Sequence, residues 1–296
     1  MSELNFVVDE EKCIHCGACE SDCGTKIINI NSSKIPEIKP EDEKYCMKCQ
    51  HCLAICPVGA ISILGKKPED SDDCSNIPES EQVLNLIKHR KSIRKYKHEN
   101  LDSNILQKLK NMLKYSPTGC NNHKLHIAFI DDVDVMDKFR NRTNNIIKKI
   151  LLSKKLTPIT KKFSRYTKAF EEGKDIIFRN APHMVVVSVP INAPCAPVDP
   201  VILLSYFELY AQSIGVGTLW CGYAEIALKL IPELCEYLEI PQGYKVGYVM
   251  LFGPTDLKYF RATQPQDYQV ISVGSKDKIN VPVVNKIKRF LWNFIR

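Results

Sequence analysis

Eight of the thirteen cysteines fall into two runs of one spacing. Cys13, Cys16, Cys19 and Cys23 stand as C-x2-C-x2-C-x3-C. Cys46, Cys49, Cys52 and Cys56 repeat the pattern 33 residues later, and Pro57 follows the last of them. The offset continues downstream, with Ile28 and Ile30 matching Ile61 and Ile63, so the runs read as two half-modules of one design. Three cysteines at such short intervals can ligate three irons of one cubane, while the fourth points away and serves another. This assigns Cys13, Cys16, Cys19 and Cys56 to one [4Fe–4S] cluster, and Cys46, Cys49, Cys52 and Cys23 to a second. Zinc is the competing reading, but zinc sites draw on two separated pairs that close a tetrahedron, which runs of four fit poorly.

Four further segments carry side chains suited to a ligand. His89-Arg90-Lys91-Ser92-Ile93-Arg94 offers forked guanidinium donors and a hydroxyl that match phosphate; its bland alternative is a solvated basic helix end. Ser116-Pro117-Thr118-Gly119-Cys120-Asn121-Asn122-His123 presents amides in a tight loop, or is simply a turn before a strand. The glycines of Gly215-Val216-Gly217-Thr218-Leu219-Trp220-Cys221-Gly222-Tyr223 would let backbone approach a flat ligand. No Gly-Lys-Ser/Thr follows, so this is not a phosphate loop. Gly253 to Arg261 is a turn carrying Lys258 and Arg261. No side-chain acid or nucleophile stands out as catalytic. The seven histidines follow no metal or triad spacing, and Cys120 and Cys221 read as packing residues.

The elements that must hold these segments alternate between helix and strand. A polar stretch at 66–79, with a free Cys74, reads as a linker. A helix begins near Ser80 with Val83, Leu84, Leu86 and Ile87 on one face, and Asp102 or Ser103 caps another through Leu113. Leu125–Ile130, Met184–Val189 and Tyr244–Phe252 read as strands, and Val201–Ile214 as an apolar helix. The lysine-rich 138–174 stretch either selects an anionic aromatic substrate or is an outer face with Ile146, Ile147, Ile150 and Leu151 inward. The expected fold class is α+β. Its parts are a small 2[4Fe–4S] domain at 1–65, the linker, an α+β domain at 80–275 and a C-terminal arm at 276–296.

Composition excludes several classes. The 296 residues suit two compact domains, and 44% apolar with 25% charged residues is ordinary for a globular chain. Met1-Ser2-Glu3-Leu4-Asn5 does not read as a signal peptide, and Glu208 and Gln212 break the best span-length candidate. A cytoplasmic protein without a membrane span is expected, where clustered cysteines bind metal. Residues 1–75 hold 8 Lys and Arg against 14 Asp and Glu, and the remainder 33 against 20. The basic part lacks a nucleic-acid-reading helix or aromatic RNA-binding signature, so no nucleic-acid partner is expected.

The cysteine runs resemble the bacterial two-[4Fe–4S] ferredoxins over roughly residues 1–65. The four later segments, in their order and spacing, resemble the nitroreductase family of FMN oxidoreductases over roughly 80–275. That resemblance implies an α+β sandwich, homodimeric, with FMN at the subunit interface. It implies that Arg90, Lys91, Ser92 and Arg94 hold the FMN phosphate and ribityl chain, and that Pro117, Thr118, Gly119 and Asn121 contact the flavin from the partner subunit. Trp220, Cys221 and Gly222 would lie at the isoalloxazine edge, with a backbone N–H towards N5, and Lys258 and Arg261 would close the phosphate site. The function so implied is FMN-dependent reduction of nitroaromatic, quinone or similar acceptors, fed through two clusters, with an external ferredoxin or NAD(P)H as donor. The alternative is an electron-transfer or redox-sensing protein whose flavin is a relay.

Overall fold

The computed structural model describes residues 4–153 and 161–273. Residues up to Arg261 make one compact unit; a second begins at Ala262 and is described to residue 273, largely exposed and without regular structure. The expected arm at 276–296 lies outside the described residues, as do Lys154 and Lys155. Among the described residues no helix is long and apolar enough to cross a membrane.

The cysteine-rich part repeats in backbone as well as in sequence. Strand β1 (Val7–Val8) pairs antiparallel with β4 (Ile61–Ser62), and β2 (Ile28–Ile30) with β3 (Pro36–Ile38). Helical turns α1 (Ala18–Asp22) and α2 (His51–Ala54) stand one repeat apart. So do the left-handed residues His15 and Lys48, Gly17 and Gln50, and Lys26 and Gly59. Left-handed φ is uncommon outside glycine; its recurrence at equivalent positions marks the turns that curl each cysteine run around a centre. Ile28 and Ile61 are both buried, whereas Ile63 is buried and its counterpart Ile30 exposed. The core is small, built on Leu4, Ile27, Ile28, Leu53, Ile61 and Ile63.

Beyond two short 3₁₀ turns in the linker, the second part runs α3 (Ser80–His89), α4 (Ser103–Met112), β5 (His126–Ile130), α5 (Val133–Leu152), α6 (Lys161–Ser164), α7 (Thr167–Glu171), β6 (His183–Pro190), α8 (Asp199–Ser213), β7 (Gly217–Trp220), α9 (Gly222–Leu230), α10 (Pro232–Tyr237) and β8 (Tyr244–Gly253). The sheet order is β5-β6-β8-β7, antiparallel throughout. Side chains alternate between faces along a strand. Met184, Val186, Val249 and Leu251 therefore enter a core with α5, α9 and α10, while Val185, Val187, Met250 and Phe252 enter another with α4 and α8. Helices cover both faces, so β6 is apolar at nearly every position. The fold is α+β.

Most expected elements are present. Asp102 caps α4, its Oδ1 accepting the Asn104 N–H at 2.8 Å. In α5, Ile147 and Leu151 are buried and Ile146 and Ile150 pack against the core, so its lysines form the outer face. Two expectations change. The 215–223 segment, to which the sequence assigned no element, contains β7 and opens α9. A methyl on Gly217 would lie 3.0 Å from Ile93, so this glycine serves the packing of β7 against the 90–94 segment rather than a flat ligand. The apolar face of α3 exists, but Val83, Leu84 and Ile87 are exposed.

Candidate functional site

The fold gathers the eight repeat cysteines into two pockets. Cys13, Cys16, Cys19 and Cys56 line one, and Cys23, Cys46, Cys49 and Cys52 line the other. Each pocket thus takes three cysteines from one run and the fourth from the other. Among the described residues no three His, Cys, Asp or Glu side chains are grouped so as to hold a single metal ion. A polynuclear centre needs ligands spread around a volume, and two pockets each walled by four cysteines fit that need. Backbone N–H groups also aim at sulfur: Lys48 donates to Cys46 Sγ at 3.3 Å and Ala60 to Cys56 Sγ at 3.2 Å. Hydrogen bonds of this kind tune cluster potentials. Burial pushes the Cys52 thiol up to about 11.

A separate cavity, of about 320 Å³, is lined by Arg94, Arg179, Trp220, Cys221, Gly222 and Tyr223, with Ile177, Leu219 and Ile226 as its apolar wall. Such size and lining suit a small-molecule site. The 90–94 segment is strapped beside β7: Ile93 N–H donates to Thr218 O at 2.8 Å, and Ser92 bridges Thr218 in parallel. The Gln212 side chain holds Lys91 at both ends, accepting its N–H and donating to its carbonyl, each at 2.8 Å. The Lys91 side chain turns back to the Lys88 carbonyl at 3.1 Å, and Lys91 lines a separate shallow pocket with Tyr259.

Glu208 is the residue that sequence reasoning missed. This buried carboxylate on α8 accepts from Arg90 Nη1 at 3.0 Å and from the Trp220 indole N–H at 2.9 Å. It therefore fixes two of the expected cofactor residues at once; Arg94, whose Nη1 donates to the Ser92 carbonyl at 3.2 Å, and Arg179 are the arginines that line the cavity. The available signal was an acid in the middle of an apolar helix. Arg179 had no signal beyond its charge.

Cys221 is a structural thiol. Its N–H pairs with Val249 O at 2.9 Å in the sheet, its Sγ donates to Ile177 O at 3.1 Å, and it accepts the Ala224 N–H to cap α9. Burial pushes this thiol up to about 11, so it stays protonated at neutral pH. The Cys221 N–H is thus committed to the sheet; the Gly222 N–H, in the first turn of α9, has no intrahelical acceptor. At the cavity edge the Tyr223 hydroxyl accepts from Arg165 and lies 3.1 Å from the Tyr166 hydroxyl. These two contacts, the Tyr166 one larger, lower the pKa of Tyr223.

The 116–123 loop lies elsewhere. Gly119 N–H donates to buried Asp199 at 3.0 Å, and a methyl on Gly119 would lie 2.6 Å from Cys195 Sγ. Thr118 Oγ1 accepts the His123 N–H at 3.0 Å. Asn121 Nδ2 donates to the Met47 carbonyl at 2.9 Å, and its Oδ1 pairs with His123 Nε2 at 2.7 Å. Pro117 and Asn121 line a cleft shared with the cysteine-rich part and absent from the Arg94–Trp220 cavity. Asp199 and Glu208 hold the two half-sites nine residues apart on α8, roughly 14 Å along its axis. Lys258 and Arg261 are exposed beyond β8. The preceding turn is tied to the 95–97 segment by Thr255 Oγ1 to Lys95 O at 2.8 Å and Lys97 Nζ to Asp256 at 2.9 Å.

With this geometry in view, the class is an oxidoreductase fold joined to a cysteine-ligated redox module. Residues 87–254, more than half of the chain, match the nitroreductase family, and the chain belongs to it. Residues 12–60 match a 4Fe-4S dicluster domain. An uncharacterized ferredoxin from Methanocaldococcus jannaschii is 33% identical over 73 residues, 25% of this chain and 95% of that protein. A polyferredoxin from Methanothermobacter thermautotrophicus is 39% identical over 61 residues, 20% of this chain but 13% of its own length. In fold, the chain is similar to a nitroreductase with bound FMN from Desulfitobacterium hafniense, with a TM-score of 0.53 at 23% identity over 65% of this chain and 98% of that one. A nitroreductase with bound FMN from Bacteroides fragilis aligns with a TM-score of 0.54 at 17% identity, over 65% and 99%.

Proposed function

We propose that this protein is an FMN-dependent reductase of nitroaromatic, quinone or similar electrophilic acceptors, and that its electrons arrive through two [4Fe–4S] clusters. One observation carries the reading: a single chain holds two four-cysteine pockets and a separate cavity lined by two arginines, an indole and a helix N-terminus. Cys13, Cys16, Cys19 and Cys56 would ligate one cluster, and Cys23, Cys46, Cys49 and Cys52 the other. FMN, when bound, accepts single electrons and passes two onward. Arg94 and Arg179 would meet its anionic groups, and the Gly222 N–H would donate at its ring edge. Arg90 would contribute the part of its fork that Glu208 leaves free. Lys258 and Arg261 follow the turn that is tied to Lys95 and Lys97, and would close the phosphate site from there.

The chain's own acid for this chemistry is Tyr223. It carries the only hydroxyl lining the cavity among the described residues, and Arg165 stabilises its oxygen after a proton leaves. Tyr166 can replace that proton across the 3.1 Å contact.

Homodimerisation is part of the proposal. The half-sites at Arg94–Trp220 and Pro117–Asn121 line different cavities in one chain, which supports a second copy bringing them together. Val83, Leu84 and Ile87 on α3, and Val201 and Tyr206 on α8, give an uncovered apolar surface that such a copy would bury.

The test is anaerobic preparation of the full chain, with about eight irons expected together with bound FMN, followed by mixing the reduced protein with a nitroaromatic. Rapid reoxidation with formation of reduced product supports the reading. Reduced flavin that is stable to every acceptor would instead indicate a relay.

A further inference from the structure

The hydrogen bond from Asn121 to Met47 joins the two halves of the molecule beside one cysteine pocket and not the other. Met47 sits between Cys46 and Cys49. Cys49 and Gln50 line both their own pocket and a large cleft, about 860 Å³, whose far side is Lys114, Pro117, Asn121 and His123. Cys49 is therefore part of the wall between the second cysteine pocket and the loop expected to touch flavin. The first pocket has no lining residue beyond Ile61, and Cys16 within it is exposed.

Backbone on the 116–123 side of this seam is unusual. Cys120, Asn121 and His123 hold φ of 53°, 52° and 46°, whereas the left-handed Lys48 and Gln50 across from them repeat His15 and Gly17. Non-glycine residues adopt this region rarely, and such conformations persist where surrounding structure enforces them. Here the enforcement is visible: His123 N–H to Thr118 Oγ1, Asn122 Nδ2 to Gly119 O, and Gly119 N–H to Asp199.

We infer that electrons leave the dicluster module through the Cys23/Cys46/Cys49/Cys52 site and cross to the flavin domain at the Met47–Asn121 seam. The Cys13/Cys16/Cys19/Cys56 site is then the one that meets the external donor. This rests on the reading of two clusters, and of a flavin reached by the 116–123 loop of a second copy, given above. Electron transfer through protein weakens steeply with the gap, and the seam is a hydrogen-bonded path from the chain between two ligands of the second site to the flavin-side loop. The donor is a low-potential one-electron carrier, such as a reduced ferredoxin. Each transfer oxidises the donor by one electron and reduces the receiving centre by one. After two transfers, the acceptor takes up two electrons and two protons.

The experiment uses the anaerobic full chain, reduced with dithionite and freed of excess. It is mixed with a quinone in a stopped-flow instrument while flavin and cluster absorbance are followed separately. In the intact protein, cluster reoxidation follows flavin oxidation. In Asn121→Leu, cluster reoxidation is expected to slow about tenfold or more, since small misplacements of reacting groups cost rate steeply, and hydrogen exchange at residues 46–50 is expected to rise. In freeze-quenched samples read by EPR, the cluster remaining in Cys49→Ser should stay reduced while the one remaining in Cys16→Ser is reoxidised. Equal cluster reoxidation in Asn121→Leu and the intact protein, or the opposite order in the cysteine variants, overturns the seam with iron and flavin both present. Absence of flavin from the intact protein overturns the seam together with the reading beneath it.

Discussion

The Trp220 indole N–H donates to Glu208 Oε2 at 2.9 Å, while the other oxygen of the same carboxylate holds Arg90 at 3.0 Å. A single buried acid on α8 thus sets the orientation of an aromatic wall on β7 and of the first arginine of the basic segment. Replacing Glu208 with alanine strands a half-exposed guanidinium and an indole donor. The expected cost is about 1–3 kcal/mol, the range for leaving hydrogen-bonding groups without their partner, read as a lower denaturation midpoint. Flavin content should fall in the same preparation, whereas iron content should not. An unchanged midpoint would show that Glu208 does not anchor the pair.

His183 is buried, accepts the Leu101 N–H on Nε2 at 3.0 Å, and packs on Phe252 with ring centroids 5.2 Å apart. Burial holds its pKa down to about 4, only partly offset by Asp131 and Asp132. The neutral ring is the folded form, while the unfolded ring titrates near its ordinary value of 6.5. The unfolded state therefore binds more protons between these values. Stability is full above pH 6.5 and declines as pH falls towards 4, by about 3 kcal/mol in total from this residue. Urea midpoints of the intact protein and His183→Gln across that interval check it; parallel curves would remove His183 as the cause.

Tyr223→Phe removes the proposed proton source without disturbing the ring contacts with Phe163 and Tyr166, at centroid distances of 5.5 and 5.7 Å. Reduction of a quinone, which needs protons, should slow by about tenfold to a hundredfold. A one-electron acceptor that takes no proton should be reduced at the original rate. Equal loss with both acceptors would point to packing.

Iron removal should unfold the cysteine-rich part selectively. Its apolar core is a handful of residues, too few to offset chain entropy without cross-links. After chelation under anaerobic conditions, amide protection should vanish across residues 4–64 and persist in β6 and β8. Protection retained in the first region would show that the core suffices.

Gly217→Val should be destabilising, because even a methyl meets Ile93 at 3.0 Å and overpacking typically costs about 1–3 kcal/mol. Since Ile93 ties the 90–94 segment to β7, flavin affinity should weaken with stability. A wild-type melting profile would contradict the packing role.

Much of this molecule follows from residue order alone. Cysteine spacing is a local property: a run of three at two-residue intervals can curl around one centre, and the 33-residue echo in the helical turns and left-handed residues is the same pattern expressed in backbone. The apolar run at 184–189 and the period of α4 likewise declare a buried strand and a half-buried helix. The strand β7 was hidden, because four residues starting on glycine carry no periodic signal.

Only the tertiary structure could decide which distant side chains meet. Arg90 and Glu208 are 118 residues apart, and Met47 and Asn121 are 74 apart. Neither contact leaves a trace in spacing, since each depends on how α8 and the 116–123 loop are placed by packing. The same holds for Arg179 at the cavity and for the Tyr166–Tyr223 pair. Local chemistry names the groups a chain owns; folding alone sets the distances at which they act.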